Sequence, residues 1–264
     1  MIPARSADPL APLLELPGVA DAVARARDAL VAVHNHPVNR RGWPATAAEA
    51  SLRAARASAA LDGAPIETGS AVRSPVLAGA VRVAEQSGRL LTTWRTAPLQ
   101  ALARLHVLAA ADLVPAERQD AELGRPRPDP DVSRRLAVLA ELLTGGTSVA
   151  APVLVGVVHG ELLALAPFGS AGGVVAGAAA HLTAVATGLD PKGLAVPEVG
   201  HLRHAAEYRR TAADFATGTA EGLAGWLRHC CAQWEAGARE GITIADARGS
   251  DRPADDRSTE NRST

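Results

Sequence analysis

The chain has 264 residues, of which 47% are hydrophobic but only 3% are aromatic, and its formal net charge at pH 7 is -1. A net charge this close to zero provides no overall field that attracts nucleic acid or an anionic membrane, so we expect neither as a partner. A core with few aromatic residues must be built from Ala, Leu and Val. Since Ala and Leu are strong helix formers, the composition predicts an all-α protein.

The N-terminal region of residues 1–45 is predicted to hold an extended lead-in and one helix. Residues 1–18 contain four prolines, and residues 19–34 form an amphipathic pattern of helical period. A second helix is predicted over residues 46–63. Thr46 is its expected cap, with Glu49 placed three residues later as in a capping box.

Further helical segments follow, separated by turns rich in Gly and Pro. They cover residues 75–87, 97–111, 131–143, 150–165, 174–187, 201–217 and 219–239, with Asp131 as the expected cap of the third. All share one composition, so we assign residues 46–245 to a single helical domain, with Ile242-Thr243-Ile244 as a short extended piece near its end. The tail of residues 246–264 is rich in Asp, Arg, Ser and Thr, and we expect it to be disordered.

The most informative segment is a glycine-rich turn between two apolar helices, Ala166-Pro167-Phe168-Gly169-Ser170-Ala171-Gly172-Gly173. It resembles the active-site loop of the Fic (Fido) family, His-Pro-Phe-x-Asp/Glu-Gly-Asn-Gly-Arg-x-x-Arg. Upstream, Gly124-Arg125-Pro126-Arg127 resembles the family's Gly-x-x-Arg segment, and the helices from Tyr208 to Trp226 resemble those that follow the loop. The resemblance covers about residues 48–240 and implies a Fic-like helical bundle.

The resemblance also shows which functional groups the loop lacks. The family's general base is a histidine, but this chain has Ala166; the family's magnesium-holding acid is replaced by Ser170. The two arginines that grip nucleotide phosphates become Val174 and Gly177. We therefore assign no catalytic residue, no metal ligand and no cofactor.

The backbone of the loop keeps one property that binds anions. Its N–H groups stand at the start of a helix, where they are able to cradle a phosphate. The candidate nucleotide-binding residues are therefore Gly169, Ser170, Ala171, Gly172 and Gly173.

The helix over residues 46–63 ends in a sequence that resembles the family's inhibitory helix, Ser/Thr-x-x-x-Glu-Gly/Asn. The matching residues are Ser58, Asp62 and Gly63, with Asp in place of Glu. In the family this acid pairs with the last arginine of the loop motif, a partner that Gly177 does not provide. The plain alternative is a helix end followed by a glycine.

Three functional hypotheses follow. The first is a catalytically degenerate Fic protein that acts by binding an unknown protein partner, with a homodimer allowed by the resemblance. The second is an active transferase with a relocated base or a different substrate. His159 lies about two turns, roughly 10 Å, before Ala166, and His181 lies about two turns inside the next helix, so both are poorly placed as a base, which leaves His106 on another helix. This hypothesis predicts a cleft lined by His106, His159 or Arg127 close to Gly172. The third is a helical protein of another class, such as an oxidoreductase, with only generic similarity.

Two remaining features bear on metal binding and on location. The pairs His34-x-His36 and His201-x-x-His204 have spacings found in metal sites, but no Cys or carboxylate cluster completes either, so we predict no metal.

The adjacent cysteines Cys230 and Cys231 are unsuited to a mutual disulfide on a helix. Together with the missing signal sequence, they predict a cytoplasmic protein.

Overall fold

The computed structural model describes residues 8–65 and 74–250, and these residues form helices and turns without a β-strand. The α-helices, in chain order, are α1 (Val19–Asn35), α2 (Pro37–Arg41), α3 (Trp43–Leu61), α4 (Pro75–Thr96), α5 (Pro98–Ala110), α6 (Gln119–Glu122), α7 (Pro130–Glu141), α8 (Ala151–Leu165), α9 (Gly172–Ala186), α10 (Pro197–Arg203), α11 (Ala205–Ala216) and α12 (Ala220–Ser250). The predicted all-α class is confirmed.

Helices α8 and α9 form the centre of the molecule and are joined by the glycine-rich loop. Both are apolar on nearly all sides, and such helices are stable only when neighbours surround them. Helices α3, α4 and α5 pack on α9, whereas α11 and α12 pack on α8. The loop is therefore held between two helices that are themselves enclosed by the rest of the fold.

Small residues allow the helices to approach one another closely. A Cβ atom at Gly160 of α8 would lie 2.6 Å from Nε1 of Trp226 on α12, so only glycine fits there. Trp226 in turn donates a hydrogen bond from Nε1 to the carbonyl oxygen of Gly156, at 2.8 Å. The N-terminal α1 packs along α12 and contributes to the same core, through residues such as Leu30 and Val33.

Helix starts differ from the predictions at two positions where proline is present. Helix α3 starts at Trp43, with Pro44 in its first turn, so Thr46 is a buried residue inside the helix and not its cap. Helix α7 is capped by Asp129, with Pro130 as its first residue. Proline suits the first helical turn because its missing N–H has no partner there in any case.

The C-terminal helices also differ from the predicted boundaries. The segment predicted as one helix over residues 201–217 is two, α10 and α11, which meet at His204. Residues 242–244 are helical, since α12 continues to Ser250 and buries Ile244 in the core. The predicted disordered tail therefore starts too early, and its residues 251–264 lie outside the described residues.

In the part of the chain that the structure describes, no helix combines the length and hydropathy needed to span a membrane.

Candidate functional site: the loop between α8 and α9

Two alanines in left-handed conformation delimit the loop. Ala166 ends α8 with φ 40°, and Ala171 precedes α9 with φ 52°. This region of backbone space favours glycine, because a Cβ atom crowds the neighbouring carbonyl. The motif that this loop resembles has glycine where this chain has Ala171, so the alanine stands in a conformation that glycine would adopt more easily.

The Gly-x-x-Arg segment anchors the loop from outside. Arg127 donates its backbone N–H to the carbonyl oxygen of Pro167 at 2.9 Å, and its Nη2 donates to the carbonyl oxygen of Leu165 at 3.2 Å. A guanidinium at this C-terminal end of α8 also complements the helix dipole. Its Nη1 pairs with Asp129 at 2.8 Å. Arg127 is therefore engaged as an anchor and is no substitute for a catalytic base.

His106 on α5 reaches the loop but presents a proton donor to it. Its ring stacks on Phe168 with centroids 4.2 Å apart, and its Nε2 lies 3.3 Å from Oγ of Ser170. Its Nδ1 accepts the backbone N–H of Gly124 at 3.0 Å, which in a neutral ring leaves the proton on Nε2. Burial lowers the pKa of His106 and so favours the neutral ring. His106 therefore donates to Ser170 and does not act as its base.

Asp62 occupies the N-terminal end of α9. Its Oδ1 accepts the N–H of Gly173 at 3.2 Å, and its Oδ2 accepts the N–H of Val174 at 3.4 Å. A Cβ atom at position 173 would lie 2.7 Å from this Oδ1, so the carboxylate can approach only because the residue is glycine. The backbone donors predicted to cradle a phosphate thus bind a carboxylate of the same chain.

The other predicted regulatory residues lie on the same helix contact. One turn before Asp62, Ser58 faces Gly177, where a Cβ atom would lie 3.6 Å from the serine Oγ. Gly63 follows α3 with φ 96°, as expected for a glycine that ends a helix. The structure therefore brings α3 onto the loop without the acid–arginine pair of the family motif.

A cavity of about 150 Å³ lies beside Asp62, between α3, α8, α9 and the helices α10 and α11. The sequence analysis did not assign several of its lining residues to the site, namely Glu198, His201 and Arg209. They lie 25, 28 and 36 positions after Gly173, the last residue of the loop, and no local motif marks them. They come together because α10 packs on α3, the helix that ends beside Asp62, and α11 packs on α8.

His159, a candidate base, lines this cavity in a form that is uncharged. Its Nε2 is hydrogen-bonded to Oη of Tyr208 at 3.0 Å. Burial, together with smaller contributions from the nearby His229 and His181, lowers the pKa of His159 to about 3. Burial also raises the pKa of Tyr208. His159 and Tyr208 therefore form a neutral, buried pair, and His159 is a structural residue.

The remaining loop residues lie in open surroundings. Gly169 is exposed, and a Cβ atom at Gly169 or Gly172 would have no neighbour within 4 Å.

The positions that hold charged groups in the family motif are neutral in this chain. Val174 and Gly177 are buried and carry no charge. Magnesium prefers carboxylate oxygen, but the residue at the family's acid position, Ser170, offers a neutral hydroxyl that already accepts from His106. The residues present do not fit a magnesium-bound nucleotide.

The histidine pairs singled out for their spacing do not meet as ligands. His34 lies 2.8 Å from Asp190 and His36 lies 3.1 Å from Asp246, through Nε2 in both cases. Nδ1 of His201 is hydrogen-bonded to Nε2 of His229 at 3.1 Å. Within residues 8–65 and 74–250, no group of three or more His, Cys, Asp or Glu side chains is arranged to hold a metal ion.

Comparisons with known proteins identify the fold. No protein-family model matches the sequence, and a search of curated proteins finds no match. Among solved structures, a fragment of Fic-1 from C. elegans is similar with a TM-score of 0.64 at 16% identity, over 89% of this chain and 73% of that one. A Fic family protein from Desulfovibrio desulfuricans G20 is similar with a TM-score of 0.59 at 17% identity, over 86% and 74%.

These structural similarities show that the chain has the Fic fold. At such low identity they establish the architecture alone. The match between residues 166–173 and the family's active-site loop rests on the sequence resemblance described above. The fold predicted from the loop motif is confirmed.

Proposed function

We propose that this is a catalytically degenerate Fic protein, related in fold to protein adenylyltransferases, which acts by binding a protein partner. One observation carries the proposal: the N-terminal end of α9 is filled by Asp62, which accepts from the amides of Gly173 and Val174. A nucleotide phosphate would have to displace this carboxylate and would find no fixed positive charge in the loop to compensate.

The absence of a suitable base supports the same proposal. Ala166 has no titratable atom, and His106 faces the loop with a protonated nitrogen. General-base catalysis needs an unprotonated acceptor within about 3 Å of the target hydroxyl. The alternative of an active transferase with a relocated base therefore has His106 as its remaining candidate, and this residue is oriented the wrong way.

The proposal extends to regulation and location. Asp62, at the end of α3, permanently occupies the anion site formed by the first amides of α9. It takes the place of an inhibitory acid that would switch between bound and released states. The partner is another protein or a second copy of this chain. We place the protein in the cytoplasm, because both cysteines are free and buried.

A transfer assay with ATP labelled at the α-phosphate tests the proposal on the full chain. We expect no label on the protein or on added lysate proteins, with an active Fic adenylyltransferase assayed in parallel to show that the assay works. The variant Asp62→Ala vacates the anion site but supplies no base, so it should remain inactive as well. Label transferred by the unmodified chain and abolished by His106→Asn would overturn the proposal.

A further inference from the structure

A second and larger cavity, of about 370 Å³, lies between α3, α4, α9 and the segment that leads into α10. Its size falls in the range of small-molecule sites, and at about 30 Å³ per water-sized group it holds a ligand of roughly a dozen non-hydrogen atoms. It shares two lining residues, Ser58 and Glu198, with the smaller cavity beside Asp62. Neither the loop motif nor the fold similarity assigns a role to the larger cavity.

Most of the wall of the larger cavity is aliphatic. Helix α3 contributes alanines such as Ala54, α4 contributes Val83 and Leu91, and α9 contributes Ala178 and Leu182. Phe, Tyr and Trp are not among its lining residues within the described chain. Such a wall favours an aliphatic ligand, because apolar surface is buried on binding while a flat ring would find no Phe, Tyr or Trp face to stack on.

One carboxylate oxygen in this wall has no hydrogen-bond donor. Glu198 on α10 is 6% exposed, and its Oε1 lies 2.7 Å from Nε2 of His181 on α9. Its Oε2 is buried and accepts no hydrogen bond from any residue that the structure describes. A buried acceptor without a donor is costly, so a ligand that brings a donor to Glu198 would be stabilised there.

The charges around the cavity favour a donor that is itself neutral. Of the Asp, Glu, Lys and Arg residues, Glu198 and Lys192 line the cavity, and their formal charges cancel. His181 adds no negative charge in either protonation state, so the lining has no excess of negative charge for a cationic ligand. An anionic ligand would meet the free oxygen of Glu198, while Nζ of Lys192 already donates to the backbone carbonyl of Asn39 at 3.1 Å.

Asp190, the other acid whose charge acts on His181, is already occupied by donors of this chain. Its carboxylate is hydrogen-bonded to Nε2 of His34 at 2.8 Å and to the backbone amides of Leu194 and Ala195 at 3.0 and 2.9 Å. It is not among the residues that line the cavity. The acceptor offered to a ligand is therefore the carboxylate of Glu198.

We propose that this cavity binds a neutral aliphatic primary alcohol of medium chain length. The alkyl chain lies against Ala54, Val83 and Ala178, and the hydroxyl donates a hydrogen bond to Oε2 of Glu198. The hydroxyl end thus lies at the wall that the cavity shares with the smaller cavity beside Asp62. The proposal does not depend on the chemistry of the loop, because none of residues 166–173 lines the larger cavity.

Calorimetric titration of the full chain with 1-octanol tests the proposal. The matched probes are 1-methoxyheptane, which has the same number of non-hydrogen atoms but no donor, and the charged octanoate and octylamine. We expect saturable 1:1 binding of octanol, about tenfold weaker binding of the ether because the hydrogen bond to the carboxylate is lost, and weaker binding of both charged probes than of octanol. Ether or a charged probe that binds at least as tightly as octanol, or an octanol titration that does not saturate, would overturn the proposal.

Variants locate both the cavity and the acceptor. Glu198→Gln keeps the shape of the side chain but replaces the carboxylate by a neutral amide, so octanol affinity should decrease about tenfold while 1-methoxyheptane affinity stays the same. Ala178→Leu fills the space and should abolish octanol binding, whereas Ala213→Leu makes the same change at an exposed position of α11 and should leave it unaltered. Thermal unfolding of each variant verifies that it is folded. An octanol-to-ether affinity ratio that is unchanged in Glu198→Gln, or octanol binding that survives in Ala178→Leu, would refute the assignment.

Discussion

Helix α9 carries two regions that differ in how charge is arranged. At its N-terminal end, the family's cationic positions are Val174 and Gly177, and the backbone amides are capped by Asp62. On its side, one turn further along, His181 forms a buried ion pair with Glu198. The first region has no cationic side chain at these two positions, while the second contains buried charged groups.

This difference separates the groups that hold a backbone in place from the groups that bind a charged ligand. The loop geometry is retained by packing and backbone hydrogen bonds, such as those from Arg127, which do not depend on catalytic side chains. Buried charges, by contrast, are costly and persist only where a partner compensates them. Within α9 and its surroundings, the buried charge that is present is therefore one with a partner, as His181 has in Glu198.

The largest expected effect is the change of unfolding free energy with pH that His159 causes, and its direction is opposite to that for His181. The pKa of His159 is lowered to about 3, so the unfolded chain takes up this proton first as pH falls below 6.5, and stability decreases. The loss should reach about 3 kcal/mol at pH 4.5. Urea unfolding between pH 7 and pH 4.5 measures it, and His159→Asn should reduce the slope. An unchanged slope in that variant would contradict the assignment.

His181 should respond in the other direction. Its raised pKa means that its contribution to stability is fully present below pH 6.5 and is lost as pH rises through the folded-state value. NMR titration of the imidazole protons should give a pKa above 6.5 for His181, which falls in Glu198→Gln because the compensating charge is removed. If His159 and His181 titrated at the same pH, the opposite pKa shifts assigned to the two histidines would be wrong.

A smaller effect is expected for the carboxylate that caps α9. Asp62→Ala removes the acceptor for the amides of Gly173 and Val174 and should cost about 1 kcal/mol of unfolding free energy. Asp129→Ala removes the corresponding cap of α7 and serves as a matched control of similar cost. Chemical denaturation of both variants measures the difference. No loss in Asp62→Ala alone would mean that this carboxylate does not occupy the helix end.

The smallest effect concerns the left-handed alanine before α9. Ala171→Gly relieves the crowding at φ 52° and should raise stability by up to about 1 kcal/mol, after the entropic cost of glycine is subtracted. In the matched control, Ala213→Gly in the exposed part of α11, the same change should lower stability by about 1 kcal/mol. Thermal unfolding of the two variants measures these opposite shifts, and a loss in both would indicate an unstrained loop.

The helices were predictable from the sequence where periodicity and turn residues agree, as for α1, α8 and α9. Boundaries failed where proline starts a helix, as at Pro44 and Pro130, because a downstream Thr or Asp gave a competing cap signal. The end of α12 failed because β-branched residues at 242–244 favour strands, while burial of Ile244 stabilises the helix.

The site was predictable only in part. The loop motif and the acid at the end of α3 were visible as local sequence, and the structure brings Asp62 to Gly173. His181 was set aside because it lies about two turns inside the helix that follows the loop. Its partner Glu198 is 17 positions further along the chain, and the pair forms only when α9 and α10 come together. Long-range pairs of this kind leave no periodic signal, so they appear only when the helices are packed.

The central claim is that Asp62 occupies the place where a nucleotide phosphate would bind. Titration of the full chain with Mg·ATP, followed by NMR of the Gly173 and Val174 amides, tests it most directly. The account predicts that neither amide signal shifts in a saturable manner at millimolar nucleotide. Saturable shifts of both signals in the unmodified chain would contradict it.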